Sequence, residues 1–155
     1  MTPGINVAKK HKVAHTVHEY THEPGSESYG QEAADKLGVP PERVFKTLVV
    51  MLDGRELAVG VVPVCAMLSM KGMARAAGAK KAAMATPADV ERATGYILGG
   101  VSPLGQKKRL RTFIDASAAE FETVYVSAGR RGLEIELSSE DLVRLTSGTL
   151  CGLTQ

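Results

Sequence analysis

Residues 18–22 read His-Glu-Tyr-Thr-His, which is the H-E-x-x-H spacing of zinc-dependent proteases. That chemistry needs a helix, because only there do residues four apart lie one above the other on one face. The flanking residues Thr16 and Val17 favour a strand instead, and Pro24 follows closely. On a strand the two histidines would lie about 13 Å apart, whereas each zinc ligand must come within about 2.1 Å of the metal. We therefore predict a strand here, with no metal bound.

Residues 100–107 resemble a phosphate-binding P-loop only loosely. The lysine comes one position late, and Lys108 stands where a Ser or Thr hydroxyl would bind Mg²⁺, so a nucleoside triphosphatase is not expected. The four glycines of residues 95–105 still allow a tight backbone whose N–H groups can face an anion or a developing oxyanion. A plain connection between a helix and a strand explains these glycines equally well.

Lys46 lies in residues 44–52, a segment that is apolar on both faces of a strand and is therefore expected to be covered on both sides. Alternation places Lys46 on the same face as Leu48 and Val50. An ammonium there must either reach the solvent at the edge or find an anionic partner, because burying it unpaired is costly. The pattern by itself favours the first alternative.

The sequence has two local basic clusters: Lys107-Lys108-Arg109 with Arg111, directly after the glycine-rich residues 95–105, and Arg130-Arg131 in the later hairpin loop. Most such runs are merely solvated. Their position beside a glycine loop nevertheless makes contact with a nucleic-acid phosphate backbone plausible. Base stacking has little support, since Tyr96 is the one aromatic residue near the loop.

No Ser/His/Asp arrangement can be assembled, because all four histidines lie between positions 11 and 22. Cys65 follows Pro63 in an apolar run, and we expect a buried small hydrophobic residue rather than a nucleophile. An enzyme built from these residues would have to act by positioning and electrostatics.

The composition is that of a cytosolic globular protein. A chain of 155 residues is long enough for one domain, and 19 basic minus 17 acidic residues give a net charge of only +2. The longest apolar stretch, residues 57–68, is shorter than the roughly 20 residues that span a bilayer. Lysines at positions 9, 10 and 12 occupy the place of the apolar region of a secretory signal. Two cysteines make no disulfide framework, so we expect a reduced, cytoplasmic protein.

Helix and strand signals alternate along the chain. Helices are predicted at 5–13, 28–38 (with Ser28 and Gln31 as a capping box), 69–77, 86–95 and 138–145. Strands are predicted at 16–22, 44–52, 56–62, 79–84, 110–114, 122–127 and 133–137, with Asp53-Gly54 as the strongest hairpin turn. Hairpins mixed with helical crossovers predict a mixed sheet with helices packed outside it.

Three segments together resemble one family: residues 44–48 (VFKTL), 95–109 (GYILGGVSPLGQKKR) and 125–133 (YVSAGRRGL). They are similar to the YbaK family, relatives of the editing domain inserted in prolyl-tRNA synthetases, and the match runs in order over nearly the whole chain. The likeness is strongest to the free-standing bacterial branch, which implies a Cys-tRNA(Pro) deacylase. It also implies one α+β domain over residues 1–155, with a mixed, strongly curved, partly barrel-like sheet and helices outside.

The resemblance implies site residues as well. Lys46 matches the family's essential lysine, which contacts the aminoacyl end of the tRNA. The pocket positions are Tyr20, Tyr29, Thr47, Gly99, Gly100, Ser127 and Glu134, and we assign tRNA binding to Lys107, Lys108, Arg109, Arg130 and Arg131. Tyr29 stands where relatives often carry Phe, and Glu134 where they often carry Asp; these two departures affect the size and polarity of the pocket that selects the amino acid. The resemblance further implies that Tyr20 and His22 lie on a strand.

An editing reaction makes physical sense because one methylene is worth only about 1–3 kcal/mol, so a proline-sized pocket cannot strongly exclude smaller amino acids. We hypothesise that backbone N–H groups of Gly99 and Gly100 stabilise the ester oxyanion, while Lys46 anchors a terminal phosphate or ribose. The family resemblance suggests that the substrate's own thiol attacks and forms a cyclic thiolactone; attack by water is the competing route.

No cofactor or metal is expected, and the partners are aminoacyl-tRNA, tRNA(Pro) in particular, and prolyl-tRNA synthetase. The alternatives are an Ala-tRNA(Pro) deacylase using water, or a non-catalytic module that binds aminoacyl-tRNA or a synthetase.

Overall fold

The computed structural model describes residues 1–25 and 29–155, with the side chain of Tyr29 left out. Within these ranges there are five α-helices and eight strands. The helices are α1 (Pro3–Lys10), α2 (Tyr29–Leu37), α3 (Met70–Ala77), α4 (Pro87–Thr94) and α5 (Ser139–Thr146). The strands are β1 (His15–Glu19), β2 (Phe45–Leu52), β3 (Glu56–Pro63), β4 (Ala82–Met84), β5 (Arg111–Asp115), β6 (Thr123–Arg130), β7 (Leu133–Ser138) and β8 (Thr149–Cys151).

The strands form two sheets rather than the single sheet expected from the sequence. One is antiparallel, in the order β1-β7-β6, and the other is mixed, in the order β4-β2-β3-β5-β8, with parallel pairing only at β3–β5 and β5–β8. An isolated bridge between Val44 and Tyr125 connects them, so β2 and β6 lie close without forming a ladder. The α+β class is confirmed. The barrel-like curvature stays a prediction, because neither sheet closes.

The β2–β3 hairpin is the element that places Lys46. Three residues connect the paired Leu52 and Glu56, and the turn is closed by the Arg55 N–H, which donates to the Leu52 carbonyl at 3.0 Å. Asp53 has φ 51° and Gly54 φ 70°, and positive φ at both central positions is typical of a tight hairpin turn. Eight residue pairs follow without a bulge, and Lys46 lies opposite Val62. The hairpin predicted from Asp-Gly is therefore confirmed.

Capping residues set the helix ends where the sequence predicted them. The hydroxyls of Ser69, Thr86 and Ser138 accept from the first turns of α3, α4 and α5. Gly78 and Gly95 end α3 and α4 in the left-handed conformation. The capping box proposed at Ser28 lies outside the described residues.

The first helix and the first strand differ from their predictions at their ends. The α1 helix begins at Pro3 instead of Ile5, because Thr2 accepts from the Ile5 N–H and a proline suits the first helical position. The β1 strand ends at Glu19, so Tyr20 and His22 lie just beyond it, although the Tyr20 N–H still donates to the Gly132 carbonyl at 2.9 Å. The strand expected at 79–84 is confined to β4, and β8 was not predicted.

The core lies on both faces of β2, as its two-sided apolar pattern predicted. Phe45 and Val49 belong to the larger buried cluster, which joins both sheets with α1, α4 and α5. Val50 and Leu52 belong to a second cluster that packs under α3. Of the helices within the described ranges, none is both long and apolar enough to cross a membrane.

Candidate active site

A cavity of about 290 Å³ opens where the start of β2 meets the β6–β7 hairpin and the glycine loop. It brings together seven of the residues expected at the site: Tyr20, Lys46, Thr47, Gly99, Ser127, Arg131 and Glu134. Its remaining lining is mostly apolar: Gly30, Val44, Phe45, Leu48, Val64, Leu98 and Val101. Gly100 does not line it, and the side chain of Tyr29 lies outside the description. This volume lies at the lower end of the range of small-ligand sites, which suits an aminoacyl group.

The Lys46 side chain is partly buried in this cavity and makes no ion pair with any described carboxylate. Burial lowers the pKa of its ammonium, and the neighbouring Cys65 thiol opposes that shift. The face that β2 presents beyond Lys46 is apolar, so the stem is covered while the amine has no partner among the residues that the structure describes. A cation held in this way is ready for an anionic or polar group that comes from outside.

Glu134 is the most perturbed acid of the cavity. It is only 6% exposed, and burial raises the pKa of its carboxyl to about 8, so the group is neutral at pH 7. The Thr47 hydroxyl oxygen is also buried and finds no partner among the described atoms. Burial, and then the charge of Glu134, raise the pKa of the Tyr20 hydroxyl. Buried polar groups without partners are rare and costly, which indicates that a ligand completes them.

The glycine loop is tightly fixed. A Cβ at Gly100 would stand 2.9 Å from the Cα of Arg130, so the loop packs directly on the β6–β7 hairpin. The Gly100 N–H donates to the Ile97 carbonyl at 3.0 Å. It is therefore already used, which corrects the hypothesis that both glycines serve an oxyanion. Gly99, at φ 91°, has an N–H with no acceptor among the described residues and lines the cavity.

A bulge in the β6–β7 ladder shapes the opposite wall. The register shifts between Ser127 and Arg130, where Gly129 has φ 126° and its N–H donates to the Ser127 hydroxyl at 3.1 Å. Ser127 lies directly opposite Glu134 in this ladder. The bulge thus helps to set the position of Arg131 at the cavity, two residues before β7.

The two basic clusters lie at different places. Arg131 belongs to the cavity, and Arg130 lies 4.0 Å from the Glu19 carboxylate. Lys107, Lys108 and Arg109 line a second recess of about 260 Å³ together with His11 of the α1 C-terminus. The Arg109 guanidinium donates to the Ser147 hydroxyl at 2.5 Å. The Arg111 guanidinium donates two hydrogen bonds to the Glu56 carboxylate.

The histidines of the H-E-x-x-H spacing contact different parts of the molecule. His18 lies on β1, as predicted, with Nε2 2.9 Å from Glu136 Oε1. The Nδ1 atom of His22 lies 2.6 Å from Glu32 Oε1 on α2. No three potential metal ligands lie together among the described residues.

The sequence did not predict one feature beside the cavity and one contact outside it. Cys65 was expected to be buried but is exposed, because the chain turns at residues 64–66 directly after β3. Arg43, at the start of the segment leading into β2, holds Thr123 and lies 3.6 Å from Glu136, and no local pattern marks that contact. The sequence did contain one signal for Glu136: strand alternation in β7 puts it on the same face as Glu134.

The aminoacyl-tRNA editing domain model matches residues 22–145 of this chain. A relative in Enterococcus faecalis, named "Putative Cys-tRNA(Pro)/Cys-tRNA(Cys) deacylase EbsC", is 36% identical over 99% of this chain and 93% of its own. The "Uncharacterized protein YwhH" of Bacillus subtilis is 31% identical over 72% of this chain and 71% of its own.

Solved structures share the fold. A "putative trans-editing enzyme for prolyl tRNA synthetase" has a TM-score of 0.83 at 22% identity and covers 100% of this chain and 99% of its own. A hypothetical protein has a TM-score of 0.87 at 24% identity, with 99% of each chain covered. The match to the family model spans most of the chain, and the Enterococcus relative spans nearly all of it. The chain therefore belongs to the aminoacyl-tRNA editing domain family.

Proposed function

We propose that this protein is a trans-editing deacylase that removes cysteine from mischarged Cys-tRNA(Pro). The observation that carries the proposal is the partly buried ammonium of Lys46, which has no carboxylate partner among residues 1–25 and 29–155 and lines a cavity of about 290 Å³. The family and the name of the Enterococcus relative support it. We extend the proposal to one editing domain over residues 1–155, acting in the cytoplasm on tRNA(Pro) and alongside prolyl-tRNA synthetase.

In this proposal Lys46 anchors the ribose or terminal phosphate, which holds the ester at the cavity mouth. The Gly99 N–H, unused by the described residues, donates to the carbonyl oxygen as it becomes negative. One such donor is typically worth about 2.7–4 kcal/mol of barrier. Arg131 contacts the backbone next to the ester, and Arg130 and Lys107–Arg109 contact phosphates farther along the tRNA.

The neutral carboxyl of Glu134 and the free hydroxyl of Thr47 complete the polar lining. A protonated carboxyl both donates and accepts, so Glu134 suits the polar atoms of an aminoacyl group. Tyr20 and Ser127 frame the same space, and Tyr29 is proposed to contribute from α2.

Neither aliphatic hydroxyl described in the cavity, that of Thr47 or Ser127, is hydrogen-bonded to a described histidine or carboxylate that could activate it, so we assign the nucleophile to the substrate. The cysteine Sγ attacks the ester carbonyl carbon, the C–S bond of a thiolactone forms, and the C–O bond to the ribose breaks. The thiol proton ends on the released ribose hydroxyl. Electron pairs and atoms balance without a cofactor, and the thiolactone is hydrolysed afterwards.

The test is a panel of tRNA(Pro) charged with Cys, S-methyl-Cys, Ser, Ala and Pro. We expect turnover of Cys-tRNA(Pro), and loss of turnover when the thiol is methylated. Equal turnover of the Ala and Ser esters would instead favour attack by water and an Ala-tRNA(Pro) deacylase. Binding without release of any amino acid would favour a non-catalytic module.

A further inference from the structure

The tip of the glycine loop exposes two large apolar side chains. Ile97 is 65% and Leu98 49% exposed, whereas the other large apolar residues of the loop, Tyr96, Val101 and Leu104, are at most 6% exposed. The sequence of the loop thus divides its apolar residues into a buried set and an exposed pair. Isolated exposed apolar residues are common, so the position of this pair decides its meaning.

The pair stands at the rim of the cavity. Leu98 lines the cavity itself, and Ile97 precedes it at the turn closed by the Gly100 N–H on the Ile97 carbonyl. The base of the loop is fixed by the Tyr96 hydroxyl, which donates to the Leu104 carbonyl at 2.6 Å, and by Gly100 against Arg130. The two side chains are therefore held outward on a rigid support.

The size of the cavity limits what can enter it. A volume of about 290 Å³ lies at the lower end of small-ligand sites, so we place the acyl group and its ester inside and the nucleoside base at the mouth. In the proposed function, Lys46 and Arg131 at the cavity mouth contact the ribose and the phosphate of the terminal nucleotide. The flat apolar faces of its base then still need an apolar surface to pack on. Ile97 and Leu98 offer an apolar surface of that kind, continuous with the cavity.

We propose that Ile97 and Leu98 form a shelf on which the terminal nucleobase of the acylated RNA lies. This inference rests on the proposed function and adds a base-binding subsite to it. The shelf contacts a base face rather than its hydrogen-bonding edge, so it favours the presence of a base without selecting which base.

The experiment compares two small esters, 3′-O-cysteinyl-adenosine and cysteine methyl ester, which has no base. In the wild-type protein we expect a higher kcat/KM for the adenosine ester. In the Ile97→Ser/Leu98→Ser variant the ratio of the two kcat/KM values should fall about fivefold to tenfold, because apolar contact area with the base is lost. Met84→Ser on β4 is the matched control: Met84 is 51% exposed and pairs with Val50, toward the other end of β2 from Lys46.

A titration that needs no turnover accompanies the kinetics. Adenosine monophosphate should bind the wild-type protein more tightly than ribose 5-phosphate, and the double variant should abolish that difference while Met84→Ser retains it. Equal affinities in the wild type, or an unchanged ratio in the double variant, would overturn the shelf. A base-dependent affinity in a protein that deacylates no tRNA would instead support the shelf and overturn the proposed function.

Discussion

Glu134 and Glu136 lie two residues apart on the same face of β7, yet their surroundings are opposite. Glu136 accepts from the Thr123 hydroxyl at 2.5 Å, lies 2.9 Å from His18 Nε2 and is 3.6 Å from the Arg43 guanidinium. Burial alone would raise the pKa of Glu136, but the hydrogen bonds from Thr123 and His18 outweigh it and lower that pKa. Glu134 has no such partner among the described residues, and its pKa rises to about 8.

The difference separates a structural region from a binding region on one sheet face. Around Glu136, the Arg43 guanidinium also stacks 5.2 Å above the Tyr125 ring, so each group is satisfied by another part of the protein. Around Glu134, the Thr47 hydroxyl and the Lys46 ammonium have no hydrogen-bond partner among the described residues, although both line the cavity. Where a fold leaves buried polar groups without partners, a ligand is the expected partner.

The largest expected effect comes from removing the cation of the binding region. Lys46→Met keeps the apolar stem, and we expect kcat/KM for Cys-tRNA(Pro) to fall by about 100-fold or more as the ester loses its anchor. Stability should hold or rise, since a partly buried ammonium is costly. Activity assays and urea unfolding measure the two effects, with exposed Lys81→Met as control. Full activity in Lys46→Met would refute its role.

Glu136→Gln and Glu134→Gln should change stability in opposite directions at pH 8. Losing the charge-assisted hydrogen bonds of Glu136 should cost about 1–3 kcal/mol in free energy of unfolding. Replacing Glu134 removes a carboxyl that burial disfavours once it ionises, so Glu134→Gln should be more stable than the wild type. Urea unfolding of both variants decides; destabilisation of similar size in both would erase the contrast drawn between the two acids.

The pH dependence of the free energy of unfolding, compared between the wild type and Glu134→Gln, tests the pKa of Glu134. The folded protein keeps the proton up to about pH 8, while the unfolded chain loses it near pH 4.5. Stability therefore falls with rising pH in this window, by about 1.4 kcal/mol per unit for this one group. The free energy of unfolding of the wild type minus that of Glu134→Gln should fall from pH 4.5 to 8 and then level off. A difference that stays constant over this window would contradict the assignment.

Gly100→Ala tests the support of the binding region. The added Cβ would meet the Arg130 backbone at 2.9 Å, so the loop must shift, and we expect a loss of about 1–3 kcal/mol together with reduced deacylation. Gly152→Ala, where nothing lies within 4 Å, is the control and should change stability little. Thermal unfolding and activity assays show whether the two substitutions differ; equal effects would mean that the loop is not tightly fixed.

The smallest expected effect is on salt dependence. Lys107→Ala or Arg109→Ala should reduce the slope of log affinity for tRNA against log salt by about 0.7–0.9, since each cation releases one counterion. Lys80→Ala, in a separate recess near α3, should leave the slope unchanged. Filter binding at several salt concentrations measures it. An affinity independent of salt would remove these clusters from the tRNA surface.

Much of the local structure could be predicted because its causes are local. Asp53-Gly54 encodes its own turn, and Ser69 with Gly78 encodes both ends of α3. The exposure of Cys65 could not be predicted, because it depends on how the chain turns after β3. The division into two sheets could not be predicted either, because it depends on β2 and β6 meeting through an isolated bridge between Val44 and Tyr125 instead of a ladder. The β8 strand is too short to carry a pattern and exists through its parallel pairing with β5.

The same division holds for the site. The sequence by itself determined that Lys46 lies in a segment that is apolar on both faces of a strand, and that residues 95–105 are rich in glycine. Residue type and hydrophobic period are properties of the sequence, so no tertiary contact is needed to recognise them. Only the tertiary structure decided that the Gly100 N–H is occupied, that Gly99 faces the cavity and that Glu134 lacks the partners Glu136 has. Hydrogen-bond satisfaction depends on which strands meet, and that is a property of the whole fold rather than of any one segment.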